Sequence, residues 1–344
     1  MRLFITLTFL FLGLIPVAAQ QSFWVDVNPQ SFAEAEARQG HFQVRNYRGL
    51  ALDLEGLKSR LQAAPLEFTA EAAAPITLEM PMPDGTARTF EVLESPVMAP
   101  GLAARYPSIR TYKGWNPDDP RETIRFGYSP KGFYGTLLTA QGAVYIDTRT
   151  EGEAPLYMSY FVKDNPNPEL WSSFECGTEH EEAEPGDIYE GDVVETRNPT
   201  GQITLRTFKL ALACTGEYSQ YHGGTKELVM AELVRVVNRL TQIFERDLAI
   251  RAELIENNDD IIFLNGATDN LTNGETGLLL AENGPVINPI VGINSYDYGH
   301  VLNIHNTGSY GVALLSSVCK LNEKAAGVSG FSAPEGDPFV ISIV

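Results

Sequence analysis

With 344 residues, 44% of them apolar, the chain is long enough for two domains with hydrophobic cores, and no low-complexity tract argues for disorder. A net charge of −19 argues against nucleic acid as a partner, because phosphate binding needs a basic face. Three cysteines, Cys176, Cys214 and Cys319, allow one disulfide and leave one thiol over; counting does not say which two pair.

Arg2 is followed by an apolar run, Leu3 to Val17, and then by small residues with Val17 and Ala19 at the spacing of a signal-peptidase site. This predicts a signal peptide over 1–20. The run is short for a membrane span and nothing later is long enough to cross a bilayer, so the expectation is an exported, soluble protein with no membrane contact after cleavage. Residues 21–164 form a first unit. It opens with Ser31 to Arg38, Ser-Phe-Ala-Glu-Ala-Glu-Ala-Arg, and a helix-like stretch at Leu54 to Ala63. Short alternating segments follow at Ile76 to Pro81, Thr89 to Leu93, Thr123 to Tyr128, Gly135 to Leu138, Ala143 to Asp147 and Leu156 to Val162. That pattern, punctuated by turns such as Pro83-Asp84-Gly85, predicts a β-rich antiparallel domain. No His, Cys or paired carboxylates cluster there in a catalytic pattern.

Residues 165–204 are an acidic linker: Glu175 to Glu195 holds nine Asp or Glu and no Lys or Arg, as a solvated, protease-accessible segment does. The second unit, 205–344, begins with a strand at Arg206 to Cys214, where Phe208, Leu210 and Leu212 alternate with less apolar neighbours. A helix from Thr225 to Arg246 places Val229, Leu233, Val236, Leu240 and Ile243 on one face. Strands are predicted at Leu248 to Ile255, Ile261 to Leu264, Gly299 to Ile304 and Gly311 to Val318, with a helix at Thr276 to Asn288. The order gives an α/β (α+β) layout with one mixed sheet.

Within the second unit stand Phe208-Lys209-Leu210-Ala211-Leu212-Ala213-Cys214-Thr215-Gly216-Glu217-Tyr218, Phe244-Glu245-Arg246-Asp247-Leu248 and Ser295-Tyr296-Asp297-Tyr298-Gly299-His300-Val301. They are followed by Gly311-Val312-Ala313, Val318-Cys319, Lys324 to Gly330 and Gly336-Asp337-Pro338-Phe339. In this order and spacing they resemble the N-terminal, pre-zinc half of the reprolysin-like (adamalysin-like) zinc metallopeptidases of the metzincin group, particularly secreted bacterial members. The first unit is similar to the matching pro-region through Met82 to Gly85, Glu94 to Pro100 and Tyr106 to Tyr112. The resemblance implies a latent secreted endopeptidase acting on peptides or proteins through a zinc-bound water.

The zinc motif of that family, His-Glu-x-x-His-x-x-Gly-x-x-His, does not occur among His41, His180, His222, His300 and His305. The resemblance places Gly336 to Phe339 just before the zinc helix, so a chain incomplete before the motif is the expectation, with no zinc ligands, no catalytic residues and no hydrolysis of its own. Gly311, Val312, Ala313 and Leu314 resemble the edge strand that receives an extended peptide; an ordinary buried strand fits the same residues. A Cys214–Cys319 bridge would staple two elements of one sheet; pairing of Cys319 with a cysteine outside this sequence is the alternative. Cys176, at the border of the pro-region, is a candidate latency thiol, with an unpaired thiol of no role as the alternative. Asp297 is a candidate for a structural calcium site or, alternatively, a solvated edge residue. A non-catalytic exported binding or inhibitory protein, derived from such a pro-region, is the competing reading.

Overall fold

The computed structural model describes residues 22–28, 44, 46–149, 155–164, 174–176, 204–305 and 309–334. The expected signal peptide, the stretch Ser31 to Arg38 and most of the acidic linker lie outside them. The first unit is an antiparallel sheet of nine strands: β1 (Trp24–Asp26), β2 (Arg48–Leu52), β3 (Ile76–Pro81), β4 (Ala87–Glu94), β5 (Arg110–Trp115), β6 (Thr123–Ser129), β7 (Gly132–Thr139), β8 (Gly142–Thr148) and β9 (Leu156–Phe161). From β3 to β9 it is a meander, with β2 and then β1 added beside β9. Tight hairpins set the register. Gly132 closes the β6–β7 turn at φ +98°, a backbone that a side chain would strain, which leaves Lys131 at the hairpin tip.

The period-2 alternation separates two faces. Ile124, Phe126, Phe133, Leu137, Val144 and Ile146 point into a core closed by α1 (Leu54–Leu61) through Leu57 and Leu61. Helix α1 starts where Asp53 accepts the Gly56 N–H at 2.9 Å. The opposite face carries Arg125, Tyr134, Thr136, Tyr145, Asp147 and Tyr160, all buried, so this polar face does not look onto solvent.

It looks onto the second unit. There the sheet holds β10 (Phe174–Cys176), β11 (Arg206–Cys214), β12 (Ile250–Leu254), β13 (Tyr298–Ile304), β14 (Ser309–Ala313) and β15 (Gly327–Phe331) in the order β10-β14-β15-β13-β11-β12. Only the β14–β15 pair is antiparallel, so the mixed sheet and the α+β class expected from the sequence are what the chain forms. A short helix α2 (Pro100–Arg105) belongs to the first unit; α3 (Gly216–Tyr221), α4 (Lys226–Leu248) and α5 (Thr276–Val291) belong to the second. Leu210, Leu212, Cys214 and Leu302 face α4, while Ala211, Ala213, Val301 and Val328 face α5, giving three layers. Thr225 caps α4 by accepting the Leu228 N–H at 3.3 Å.

One expected strand is absent. Ile261 to Leu264 makes only an isolated bridge, between Ile262 and Cys214, after a 3-10 turn at Asn258–Ile261. The Asn258 side chain takes the place a strand would occupy: its Oδ1 accepts the Leu212 N–H at 2.8 Å and its Nδ2 donates to the Leu212 carbonyl at 3.0 Å. A fully buried amide thus replaces strand pairing at this point.

Candidate functional site

The peptide-receiving edge expected from the sequence comprises β14 and Leu314. Gly311, Val312 and Ala313 pair with β15, and Leu314 lies just past the strand, 44% exposed, donating its N–H to the Ala326 carbonyl at 2.9 Å. The other side of β14 is not free. Strand β10, from within the acidic linker, lies parallel to it with Phe174 opposite Ser309, Glu175 opposite Tyr310 and Cys176 opposite Gly311. Of the four expected edge residues, Gly311 lies opposite the chain's own segment, whose other partners, Ser309 and Tyr310, come before them.

The far edge is capped as well. Leu254 of β12 donates its N–H to the Val97 carbonyl at 2.8 Å, and Ala99 donates to the Leu254 carbonyl at 2.9 Å. The side chains of Val97, Met98 and Leu102 continue into the core between α4 and the second sheet. Segments that precede the second unit in sequence thus reach both edges of its sheet, at Ser309 to Gly311 and at Leu254.

Between those edges, the polar face of the first sheet meets a polar stripe of α4. Glu232, Arg235, Asn238, Arg239, Gln242 and Glu245 recur at three and four residues, opposite the apolar stripe of Val229, Leu233 and Val236. Arg125 donates to Asn238 Oδ1 at 3.0 Å and pairs with Glu245 at 2.8 Å. Asn238 Nδ2 donates to the Phe126 carbonyl at 3.1 Å and to the Tyr134 hydroxyl at 3.2 Å. The hydroxyl reaches it because Gly127 has no Cβ; one there would lie 2.7 Å from that oxygen. Arg239, with no exposed side-chain surface, pairs with Asp147 and lies 4.9 Å over the Tyr145 ring. Arg251 joins Glu245 to Glu67, which Lys113 and Ser95 also hold, the latter at 2.6 Å. Burial pulls the Arg125 pKa down against the opposing pull of Glu245, while in Arg239 burial is outweighed by Asp147 and the pKa is raised. At the exposed rim, Arg105 pairs with Asp259 at 2.8 Å and Ser108 donates to Glu227 at 2.6 Å.

The remaining candidates are placed apart. Cys214 and Cys319 are free thiols, so the expected bridge is not formed. Cys214 is opposite Leu302 of β13, whereas Cys319 donates its N–H to the carbonyl of Asp297, just before that strand begins. Five residues of strand separate those points by about 16 Å, beyond disulfide reach. Burial pushes the Cys214 thiol up to about 12. Asp297 accepts the Lys209 N–H at 2.7 Å, a sheet-closing hydrogen bond; among the described residues no group of three or more His, Cys, Asp or Glu is placed to hold a metal, and calcium finds no support. Cys176 is positioned only through the backbone of β10.

The described histidines do not converge. His222 Nδ1 lies 3.3 Å from Lys131 Nζ, His300 Nε2 lies 2.9 Å from the Ser329 hydroxyl, and the His305 ring stacks on Tyr310 at 5.7 Å. Burial drives His300 down to about 4. These residues do not fit a zinc site.

A mixed sheet with a helix on each face, and one antiparallel strand pair near its edge, defines the second unit as an α+β domain. Residues 204–344 match the Metallo-peptidase family M12B Reprolysin-like, so this part of the chain is similar to a reprolysin-like metallopeptidase domain. The family implies zinc and a peptide or protein substrate. The match covers the second unit and none of the first. No curated protein matches the chain.

Proposed function

We propose that the chain is an exported metallopeptidase precursor in which residues 21–164 are a pro-region that keeps the reprolysin-like domain closed. The apolar N-terminus supports export. The observation that carries the reading is β10 lying along β14, the strand that the family resemblance assigns to peptide substrate. Closure is by partial occupancy: β10 takes the start of β14 at one sheet edge, Val97 to Ala99 hold Leu254 at the other, and the polar face of the first sheet covers α4. Cys176 enters as the thiol carried by the occupying strand. The described histidines are held in internal contacts, so no hydrolytic step is assigned to them.

The test is binding of a fluorescent extended peptide to the full chain, compared with Phe174→Pro/Glu175→Gly/Cys176→Pro. Two prolines in β10 remove ladder donors and free the β14 edge. Binding at least tenfold tighter in the variant is expected; equal affinity rejects the occupied-edge reading.

A second reading, a non-catalytic exported binding or inhibitory protein, is favoured by one observation: His222 and His300 are both engaged in internal, partly buried contacts. Metal analysis separates the two. The 344-residue chain is expected to retain no stoichiometric zinc after dialysis against a metal buffer, and a chain extended through a zinc motif to retain one. Zinc bound by neither favours the binding protein.

A further inference from the structure

His222 caps the C-terminal end of α3 and is 3% exposed, held between the Tyr218 ring at 4.4 Å and the Tyr221 ring at 5.0 Å. Its Nδ1 faces the Lys131 ammonium at 3.3 Å. An ammonium group has only donors, so the contact requires an unprotonated Nδ1 that accepts. Lys131 belongs to the first unit, at the tip of the β6–β7 hairpin, and its Nζ also lies 3.8 Å from Glu232 of α4. Glu232 is in turn held by Arg235 at 2.6 Å. Lys131, Arg235, Glu232, Tyr218 and Tyr221 are the charged and titratable groups facing the ring, from the hairpin, α4 and α3.

We propose that the Lys131–His222 contact is an acid-operated latch between the two units: a proton on the ring turns the accepting Nδ1 into a donor facing an ammonium, and the hairpin withdraws from α3. This deepens the pro-region reading and rests on it. With the ring protonated, three cations share one carboxylate in a buried pocket. Lys131 keeps 28% of its side chain exposed, so the hairpin, and not the buried helix α4, is the part that can move toward water. Withdrawal uncovers the N-terminal half of the α4 polar stripe first, because Glu232 and Arg235 lie nearest the latch.

The direction and window come from the surroundings of the ring. Burial lowers the His222 pKa from 6.5 to about 4, with Lys131 and Arg235 acting in the same sense and Glu232 and the Pro334 carbonyl opposing them. A pKa depressed in the closed form means that closure is fully favoured above about 6.5 and weakens as pH falls toward 4. At pH 5 the closed-to-open ratio falls by roughly 30-fold for a ring that regains its ordinary pKa on opening. The carboxylate of Glu232 does not share this window: burial would raise its pKa, but Arg235, His222 and Lys131 outweigh that and hold it at about 2.

Small-angle X-ray scattering of the full chain, from pH 7.5 to pH 4.5 and paired with far-ultraviolet circular dichroism, tests the latch. The radius of gyration is expected to rise between pH 6 and 4.5 with the dichroism unchanged. His222→Gln, which keeps a neutral acceptor toward Lys131, is expected to move that rise down by at least one pH unit. Lys131→Met, which removes the facing cation, is expected to weaken the acid response and serves if the glutamine variant does not fold. A rise unchanged in both variants, or one that coincides with loss of dichroism in the parent chain, overturns the proposal. The readout is shape alone, so the latch can fail while peptide binding still responds to the β10 substitutions, and failure of those substitutions leaves the scattering profile to be read independently.

Discussion

Asp147→Asn is the most direct probe of the interface between the units. Arg239 has no exposed side-chain surface and Asp147 only 5%, so the substitution leaves a guanidinium buried without a counter-charge. Removing one partner of a buried pair costs about 3–5 kcal/mol. Two features of the site favour the lower end. The asparagine carbonyl still accepts one hydrogen bond, and the Tyr145 ring 4.9 Å from the guanidinium retains a contact worth ~1 kcal/mol. The expected loss is therefore about 3 kcal/mol. Asp147→Leu combined with Arg239→Met removes both charges while keeping similar volume, and should lie within about 1–2 kcal/mol of the parent chain. Urea unfolding followed by circular dichroism, arranged as a double-mutant cycle, measures the coupling. If Asp147→Asn costs less than about 1 kcal/mol, or the double variant loses as much as the two single changes together, the pair does not join the units in the way described.

Native alkylation should modify exposed Cys319 within minutes and leave Cys214 unreacted until the chain is denatured, as its burial and raised pKa require; an intact mass showing the two linked refutes the separation along β13. Asp297→Ala should cost ~1–2 kcal/mol through the lost hydrogen bond to Lys209, with the same loss in calcium and in chelator. A calcium-dependent melting temperature in the parent chain alone speaks for a cation there. Neutral His300 is favoured by its burial, so its contribution is complete above pH 6.5 and lost as pH falls toward 4, up to roughly 3 kcal/mol. His300→Asn should flatten that part of the stability–pH profile, and an unchanged slope counts against it.

The sequence made the elements with strong periodicity legible. Arg206 to Cys214 alternates and forms β11 with those bounds, and the helix read from Thr225 becomes α4 one residue later, with Thr225 as its cap. What it hid was pairing made by backbone alone. Val97 to Ala99 and Phe174 to Cys176 are three residues each, too short for any period to appear, and the second stands in a stretch whose acidity argues for solvent. Strand β15, Gly-Val-Ser-Gly-Phe, is buried throughout and so shows no alternation. Ile261 to Leu264 failed for the opposite reason: its apolar run satisfies a strand pattern, but Asn258 takes the backbone of Leu212 first. The polar stripe of α4 is the instructive case. Glu232, Arg235, Asn238, Arg239, Gln242 and Glu245 have the spacing of a solvated helix face, and only the matching polar face on a second domain turns that stripe into an interface. Its one detectable signal was Asn238 and Gln242 among the charges, uncharged groups that favour fixed partners. The interleaved order of the two peptidase-side edges, by contrast, belongs to tertiary structure and leaves no local trace.

The capping of β12 has a consequence for the order of manufacture. A ribosome adds roughly 5–20 residues per second, and N-terminal domains fold first as the chain emerges. Val97 to Ala99 is made roughly 150 residues before β12, so Leu254, the end of that strand, emerges to find its outer partner already made. An unpaired strand edge on a half-made sheet recruits other chains. Here the hazardous interval is shortened by placing the guard ahead of the strand it guards, and a chain permuted to make the second unit first would lose that protection while keeping every contact of the finished molecule.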